Sequence, residues 1–316
     1  MFRITPIGSC RIYGPLREHG AALGFQINTK RVFGYAHSSA EAVQQMRAFS
    51  GEFIPEKQFW PFIARSKTYD RFQAETHEKS HLYMVELSSA KTLKIGDTAL
   101  QLNYVNTYFR DFFSDKQRAL SFTQLCKKSD PAGVSDFLAD HWSHTPAQRK
   151  DSEVLKRIEI SMSTEQSLYE DICKLQEGLP DVLIVTHVSA KSKNGEPLHS
   201  REKYIQQVVA ASQRAGVKLY NPTDLMNAVG QHRAIEDSSA AMAHYTSAFN
   251  GHIFSDWFGN ILLPAVKGAV QKPPEAGTES ILPALKEGVL KSGSPEQVIA
   301  VASLLESIGD PWNKSN

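Results

Sequence analysis

The chain has 316 residues, of which 41% are hydrophobic and 22% charged, and its formal net charge is +1. This composition is typical of a globular protein with one large or two modest domains and a substantial core. A net charge so close to zero argues against a general attraction to nucleic acid or to membrane surfaces, so neither is expected as a partner. The three cysteines have no paired spacing, which argues against a disulfide framework and a cysteine-based metal site.

The N-terminal stretch and the lengths of the apolar runs bear on location. Met1 to Pro6 contains no long apolar segment of the secretory type, and no run approaches the roughly 18 apolar residues of a membrane-spanning helix. Cysteines without disulfide spacing are typical of a reducing compartment. We therefore expect a cytoplasmic protein without a transmembrane segment.

The first strand and turn carry the main candidate for chemistry. A short apolar run that starts at Ile4 ends at Gly8-Ser9-Cys10-Arg11, and a helical segment follows. Gly8 permits a sharp turn, and Ser9 then lies at the carboxyl end of a strand, where open α/β sheets bind ligands. The amides after Ser9 would face the group that it attacks, as an oxyanion hole requires. A serine in this position is also a common helix N-cap, so the turn alone does not establish a nucleophile.

Two later apolar runs predict strands that are buried on both faces of a parallel sheet. The first lies within residues 81–90 and ends in the polar pair Ser88-Ser89. The second, 181–188, ends at His187, and a helix over 201–215 leads to a further strand, which completes a βαβ unit. Residues 92–180 between these strands predict a largely helical insertion.

Two segments lie outside this predicted sheet. Residues 51–80 predict an irregular insertion or lid, in which the aromatic side chains near Trp60 could line a pocket. A change of composition divides the chain into an α/β domain, 1–267, and a C-terminal part, 268–316, made of a linker and two amphipathic helices. We expect these helices to pack back on the domain or to meet a partner, and they are the candidate contact of a homo-oligomer.

A serine nucleophile needs a histidine base and a group that orients it. His244 follows an acidic turn after the last predicted strand, and Asp237 is the orienting candidate, with Glu236 as its alternative. His187 should reach the same cleft as a substrate ligand, as an oxyanion donor or as a core histidine.

One formal metal motif is present. His77-Glu78-Lys79-Ser80-His81 matches the His-Glu-x-x-His pattern of zinc proteases, which requires both histidines on one face of a helix. The segment is polar and runs directly into a strand, and no third ligand is evident. We therefore predict no metal site.

Four blocks of the chain resemble the SGNH/GDSL hydrolase-like superfamily, and most of all its branch named for a Gly-Ser-Cys-Phe-Ala motif. They are Gly8-Ser9-Cys10-Arg11, Thr186-His187-Val188, Leu219-Tyr220-Asn221-Pro222 and Asp237…His244-Tyr245-Thr246, in that order. The resemblance extends over residues 1–258. It implies a three-layer, flavodoxin-like sandwich with a parallel sheet, with Ser9 as nucleophile and His244 as general base.

The chain departs from the superfamily at two blocks. The residue three positions before His244 is Ala241, where the superfamily has aspartate, and no Gly-x-Asn-Asp block is evident. The oxyanion hole and the substrate contacts then fall to residues near the predicted strand ends. The candidates are Cys10, Arg11, Ser88, Ser89, Asn103 and His187.

The resemblance implies a serine-dependent acyl-ester hydrolase or O-acyltransferase that acts on a small-molecule or carbohydrate substrate, such as a polysaccharide precursor. Hydrolysis would need no cofactor, whereas transfer would need an acyl donor such as acetyl-CoA. One alternative is a glycosyltransferase or other transferase of surface-polysaccharide biosynthesis, which Arg11, Lys91 or Arg201 near the cleft would favour. The other is an SGNH-like ligand-binding or scaffold protein without catalysis.

Overall fold

The computed structural model describes residues 1–64, 67–192, 194–236, 244–272 and 278–310. Within these ranges, eight strands form a five-stranded and a three-stranded sheet. The strands are β1 (Phe2–Ile7), β2 (Phe25–Ile27), β3 (Leu82–Leu87), β4 (Lys91–Ile95), β5 (Thr98–Leu100), β6 (Glu159–Met162), β7 (Val182–Thr186) and β8 (Lys218–Tyr220).

The larger sheet is parallel throughout and has the strand order β2-β1-β3-β7-β8. Every residue of β3 and β7 is buried, because both strands lie in the interior of a sheet that is covered on its two faces. This confirms the predicted α/β class with a parallel sheet. The order is that of flavodoxin-like sheets, which bind ligands at the carboxyl ends of their strands.

The helices cover both faces of this sheet and surround the smaller one. They are α1 (Cys10–Pro15), α2 (Ser39–Ser50), α3 (Trp60–Ile63), α4 (Tyr69–Ala74), α5 (Leu102–Tyr108), α6 (Arg110–Phe113), α7 (Lys116–Lys127), α8 (Pro131–His141), α9 (Pro146–Leu155), α10 (Glu165–Gly178), α11 (His199–Ala215), α12 (Thr223–Val229), α13 (Gln231–Ala234), α14 (Ser247–Trp257), α15 (Leu263–Gln271), α16 (Ile281–Ser292) and α17 (Pro295–Ser307). In the described ranges, no helix has the length and hydropathy to cross a bilayer.

Two apolar cores flank the parallel sheet. On one face, β1 packs with α1 and α14, and Trp257 is among the largest fully buried side chains of this core. On the other face, α2, α10 and α11 pack together through buried aliphatic residues such as Ile172 and Val208. Sheet and helices therefore form three layers.

The C-terminal helices α16 and α17 pack back on the first of these cores. Leu285 and Val301 belong to it together with Phe2. The approach is close, because a Cβ atom at Gly288 would lie 2.4 Å from the carbonyl carbon of Leu23. The C-terminal region is therefore helical, as predicted, and it contacts the α/β region; the boundary at 267 and the homo-oligomer stay predictions.

The insertion contains a third core, and its content differs from the helical segment expected over 92–180. The antiparallel strands β4, β5 and β6 lie inside this region alongside its helices. Trp60, expected to line a pocket, is only 8% exposed and packs here against Phe33 and Phe72. The segment 51–80 thus supplies core side chains, because burial of large aromatic rings stabilises the small sheet.

Candidate active site

The candidate site lies where β1, β3 and β7 end. Because these strands are parallel neighbours, their carboxyl ends meet at one edge of the sheet. Ser9 follows β1, Glu86 is the penultimate residue of β3, and His187 follows β7. The sequence therefore brings one polar side chain from each central strand to a common edge.

Glu86 is the centre of this edge, and its side chain is 1% exposed. Its Oε2 accepts the Ser9 backbone N–H at 2.7 Å, and its Oε1 accepts Arg11 Nε at 2.6 Å. Arg11 Nη2 completes the ion pair at 2.5 Å. Burial acts to raise the pKa of Glu86, but the Arg11 charge and the Ser9 bonds outweigh it and lower that pKa. The carboxylate therefore fixes the turn that presents Ser9 and Cys10.

Gly8 is required for space rather than for a left-handed backbone, because its φ is not among the positive values of the described residues. A Cβ atom at this position would lie 2.6 Å from Glu86 Cβ and 3.0 Å from Ile12 Cδ1. The absence of a side chain lets Glu86 reach the turn.

Gly8→Ala should lower the free energy of unfolding by about 1–3 kcal/mol, the usual cost of overpacking a closed site. Urea denaturation measures this. Gly268→Ala is the matched control, because no atom lies within 4 Å of a Cβ at that helical position. Equal stability of the two variants would contradict the close approach.

The Ser9 hydroxyl caps helix α1. Its Oγ accepts the Arg11 backbone N–H at 3.3 Å, and Ser9 is only 4% exposed. Within the described residues, no hydrogen bond joins this hydroxyl to a histidine. Ser9 is therefore a helix N-cap, which is the structural alternative to a nucleophile at this position.

His244 lies instead beside the next residue. Its Nδ1 is 3.2 Å from the Sγ of Cys10, which is partly buried. The backbone sets this position, since the His244 carbonyl accepts the Glu236 N–H at 2.9 Å and Thr246 caps α14. The structure therefore places His244 at the Ser9–Cys10 turn, where the partner of its ring is the Cys10 thiol and not the Ser9 hydroxyl. Asp237, the expected orienting carboxylate, lies outside the described residues.

His187 is 4% exposed, and its pKa is well below the usual range, because burial and the charges of Arg11 and Arg201 disfavour the imidazolium. Its Nδ1 is 2.8 Å from the Val188 carbonyl. A carbonyl oxygen only accepts, so the Nδ1 of the neutral ring carries the proton and Nε2 is an acceptor. The ring can thus accept a bond from a hydroxyl group, whereas it has no proton at Nε2 for an oxyanion.

Ser88 and Ser89 follow β3 in a turn around His37. Both backbone N–H groups donate to the His37 carbonyl, at 2.8 and 3.0 Å, so neither is available to an oxyanion in this arrangement. The Ser89 hydroxyl bonds the backbone of Lys91. Asn103 is exposed on α5, two residues beyond Gln101, whose amide donates to His37 Nδ1 at 2.9 Å.

Glu41 lies beneath this turn, and no ion pair joins it to a cationic side chain in the described ranges. Its carboxylate accepts the backbone N–H groups of His37 and Ser38 and the Ser38 hydroxyl. Burial raises its pKa to about 7 despite these bonds. The folded state therefore retains a proton on Glu41 at pH values where the unfolded chain has released it.

Between pH ~4.5 and ~7, this excess of protons in the folded state should make stability fall as the pH rises, by on the order of 3 kcal/mol in total. Glu41→Gln keeps the acceptor oxygen and removes the titration. Urea denaturation at several pH values should show the variant gaining on the wild type as pH rises across this window. A constant difference between the two proteins would contradict the raised pKa.

The metal motif has another use in the fold. His77 Nδ1 lies 2.9 Å from the Lys30 carbonyl and its Nε2 lies 3.0 Å from the Tyr83 hydroxyl, so both ring nitrogens contact protein atoms. His81 Nδ1 accepts the Arg3 N–H. In the part of the chain that the structure describes, no group of three or more metal-ligating side chains is close enough to hold an ion.

Sequence reasoning assigned no role to the buried layer of the site: Glu86, His37, Glu41 and Gln101. Only Glu86 carried a signal, since a carboxylate inside an apolar strand needs a buried partner. Arg11 offered that partner, but its distance in sequence concealed the pair.

Two comparisons with known proteins point to the same family. A family model described as the TviD N-terminal domain matches residues 2–260. The chain is 32% identical over 265 residues to the Vi polysaccharide biosynthesis protein TviD of Salmonella typhi. That alignment covers 83% of this chain and 32% of the relative, so the chain spans about a third of the length of that protein. No solved structure matches the chain. Since the family model matches well over half of the chain, the chain belongs to the TviD N-terminal domain family.

Proposed function

We propose that this chain is an acyl-ester hydrolase or O-acyltransferase that acts on a carbohydrate in surface-polysaccharide biosynthesis. The observation that carries the proposal is the imidazole of His244 at the Ser9–Cys10 turn, at the carboxyl edge of a parallel sheet. The polysaccharide part rests on the name of the relative in Salmonella typhi. We propose the SGNH type of fold on the strand order and on the motif resemblance.

In the form that the resemblance implies, Ser9 attacks the acyl carbonyl while His244 takes its proton and returns it to the leaving group. His244 would need to approach the Ser9 hydroxyl, because it contacts Cys10 in the structure. A sugar hydroxyl or water then accepts the acyl group. For transfer, acetyl-CoA is the proposed class of donor, since its thioester is already activated.

The neighbouring polar groups support a sugar substrate. The Nε2 of His187 is an acceptor suited to a sugar hydroxyl, since its Nδ1 proton is used by the Val188 carbonyl. The glycosyltransferase alternative draws less support, because Arg11, one of its expected phosphate ligands, is paired with Glu86.

Hydrolysis of short p-nitrophenyl esters tests whether turnover depends on the Ser9–Cys10 turn. The double variant Ser9→Ala/Cys10→Ala should lose turnover while its far-UV circular dichroism stays unchanged. Ser294→Ala is the matched control, because it removes the N-cap of α17 outside the site. Equal turnover in the wild type and the double variant would refute an acyl-transfer site at this turn.

A further inference from the structure

We infer that the Cys10 thiol, rather than the Ser9 hydroxyl, is the nucleophile that takes up the acyl group. The inference rests on the proposed function and names the reacting atom of the same site. It implies a thioester intermediate, which contains the same type of bond as the proposed acetyl-CoA donor.

The first argument is the contact with the base. Cys10 Sγ lies 3.2 Å from His244 Nδ1, whereas within the described residues no hydrogen bond joins the Ser9 hydroxyl to His244. A nucleophile and its base need to lie within hydrogen-bond reach, which for sulfur is somewhat longer than for oxygen. The thiol fulfils this condition without any movement of the chain.

The second argument concerns access. Ser9 is 4% exposed and its Oγ accepts the Arg11 N–H as the cap of α1. Cys10 is less buried than Ser9. An incoming acyl group therefore reaches the thiol first, and attack by Ser9 would compete with the capping bond.

The third argument concerns the developing oxyanion. The Ser9 N–H is bound to Glu86 Oε2 at 2.7 Å, so it cannot stabilise an intermediate formed on Ser9. The Cys10 N–H, by contrast, is not bound to Glu86 and lies against its own Sγ. A nucleophile whose own backbone N–H faces the oxyanion is a recurring arrangement in acyl transfer. Of the two residues of the turn, Cys10 is therefore the one whose N–H Glu86 does not hold.

The electrostatics of the thiol make His244 indispensable. Burial is the largest effect and raises the pKa of Cys10. Together with Glu86 it outweighs Arg11, the Ser9 hydroxyl and the Cys10 N–H, all of which lower that pKa, so the net pKa is raised. The resting side chain is therefore a neutral thiol and not a preformed thiolate. Its reactivity should depend on removal of the proton by His244.

The proposed steps balance as follows. The Cys10 thiol gives its proton to His244 Nδ1 as sulfur bonds to the acyl carbon. The bond from that carbon to the donor's oxygen or sulfur breaks, and the leaving group takes the proton from His244. A sugar hydroxyl or water then attacks the thioester, its proton passes to His244 and returns to the sulfur of Cys10, and the C–S bond breaks.

Alkylation by iodoacetamide tests the thiol–base pair independently of any acyl substrate. Peptide mass mapping should find Cys10 alkylated at least tenfold more slowly in His244→Ala than in the wild type, since general-base effects are about 10²–10⁴-fold. The partly exposed Cys173 is the internal reference and should react equally in both proteins. Equal Cys10 rates in the two proteins would overturn the inference.

Single variants with p-nitrophenyl acetate then identify the nucleophile. Cys10→Ala should abolish turnover, Ser9→Ala should retain it within about tenfold, and the wild-type acetyl group should be released by neutral hydroxylamine, which cleaves thioesters. Loss of turnover in Ser9→Ala with full turnover in Cys10→Ala would overturn the inference and leave the proposed function intact. Failure of the proposed function would differ, because turnover would then survive in the double variant.

Discussion

Glu86→Gln should lower the free energy of unfolding by about 3–5 kcal/mol, the usual cost of breaking a buried ion pair. The substitution removes the carboxylate charge that pairs with the Arg11 guanidinium, and Arg11 is only 7% exposed. The side-chain amide of the introduced glutamine would also direct its own N–H group either at the Arg11 guanidinium or at the Ser9 N–H. Both of these groups are donors, so no hydrogen bond can form there. Equilibrium urea denaturation measures the loss.

Glu78→Gln is the matched control for this experiment. Glu78 also pairs with an arginine, Arg3, but its side chain is 44% exposed. Exposed ion pairs contribute little, so this variant should unfold near the wild-type urea concentration. Similar stability of Glu86→Gln and Glu78→Gln would mean that the Glu86–Arg11 pair does not fix the turn.

The second large effect is expected at His244. His244→Ala should reduce kcat/KM for a short acyl ester by about 10²–10⁴-fold, because the base is needed whichever residue of the turn attacks. Its Tm should change little, since His244 is only partly buried and the bond from the Glu236 N–H to its carbonyl remains.

His199→Ala provides the control for the loss of a histidine. The His199 side chain is 85% exposed at the start of α11 and pairs loosely with Glu202. This variant should keep wild-type turnover. Unchanged kcat/KM in His244→Ala would remove the general base from the account and leave the binding or scaffold alternative.

The parallel sheet could be predicted because its strands carry a local signal. The segments that became β3 and β7 are short, apolar and followed by polar residues, and each is buried throughout. The turn after β1 could be predicted in the same way, since Gly8-Ser9 follows an apolar run. These features depend on neighbouring residues only, which is why a single sequence contains them.

The features that escaped prediction depend on contacts between distant residues. Glu86 and Arg11 are 75 positions apart, and His244 is 234 positions from Cys10. Periodicity identifies which residues are buried, but it does not identify which buried polar groups pair. The order of elements and the resemblance both pair His244 with Ser9, and they indicate Cys10 only as a substrate or oxyanion contact.

The smaller sheet illustrates a second limit. β4, β5 and β6 are only three to five residues long, and β6 joins β4 across the helices α5 to α9. Strands this short carry little alternation of polar and apolar residues, so helical composition dominated the prediction for 92–180. The burial of Trp60 is unpredictable for a similar reason. The charged residues around it in the sequence indicate an irregular lid, and the sequence does not show that Phe33 and Phe72 pack against its ring.

Mass mapping of a trapped acyl-enzyme is the most direct test of an acyl-transfer site at the Ser9–Cys10 turn. The wild-type protein would be mixed with p-nitrophenyl acetate, quenched in acid and cleaved after its arginines, which yields a peptide from Ile4 to Arg11 with both candidate nucleophiles. We predict one acetyl group on this peptide, and none on it in His244→Ala. Acetyl groups confined to lysines or to other peptides would contradict the account.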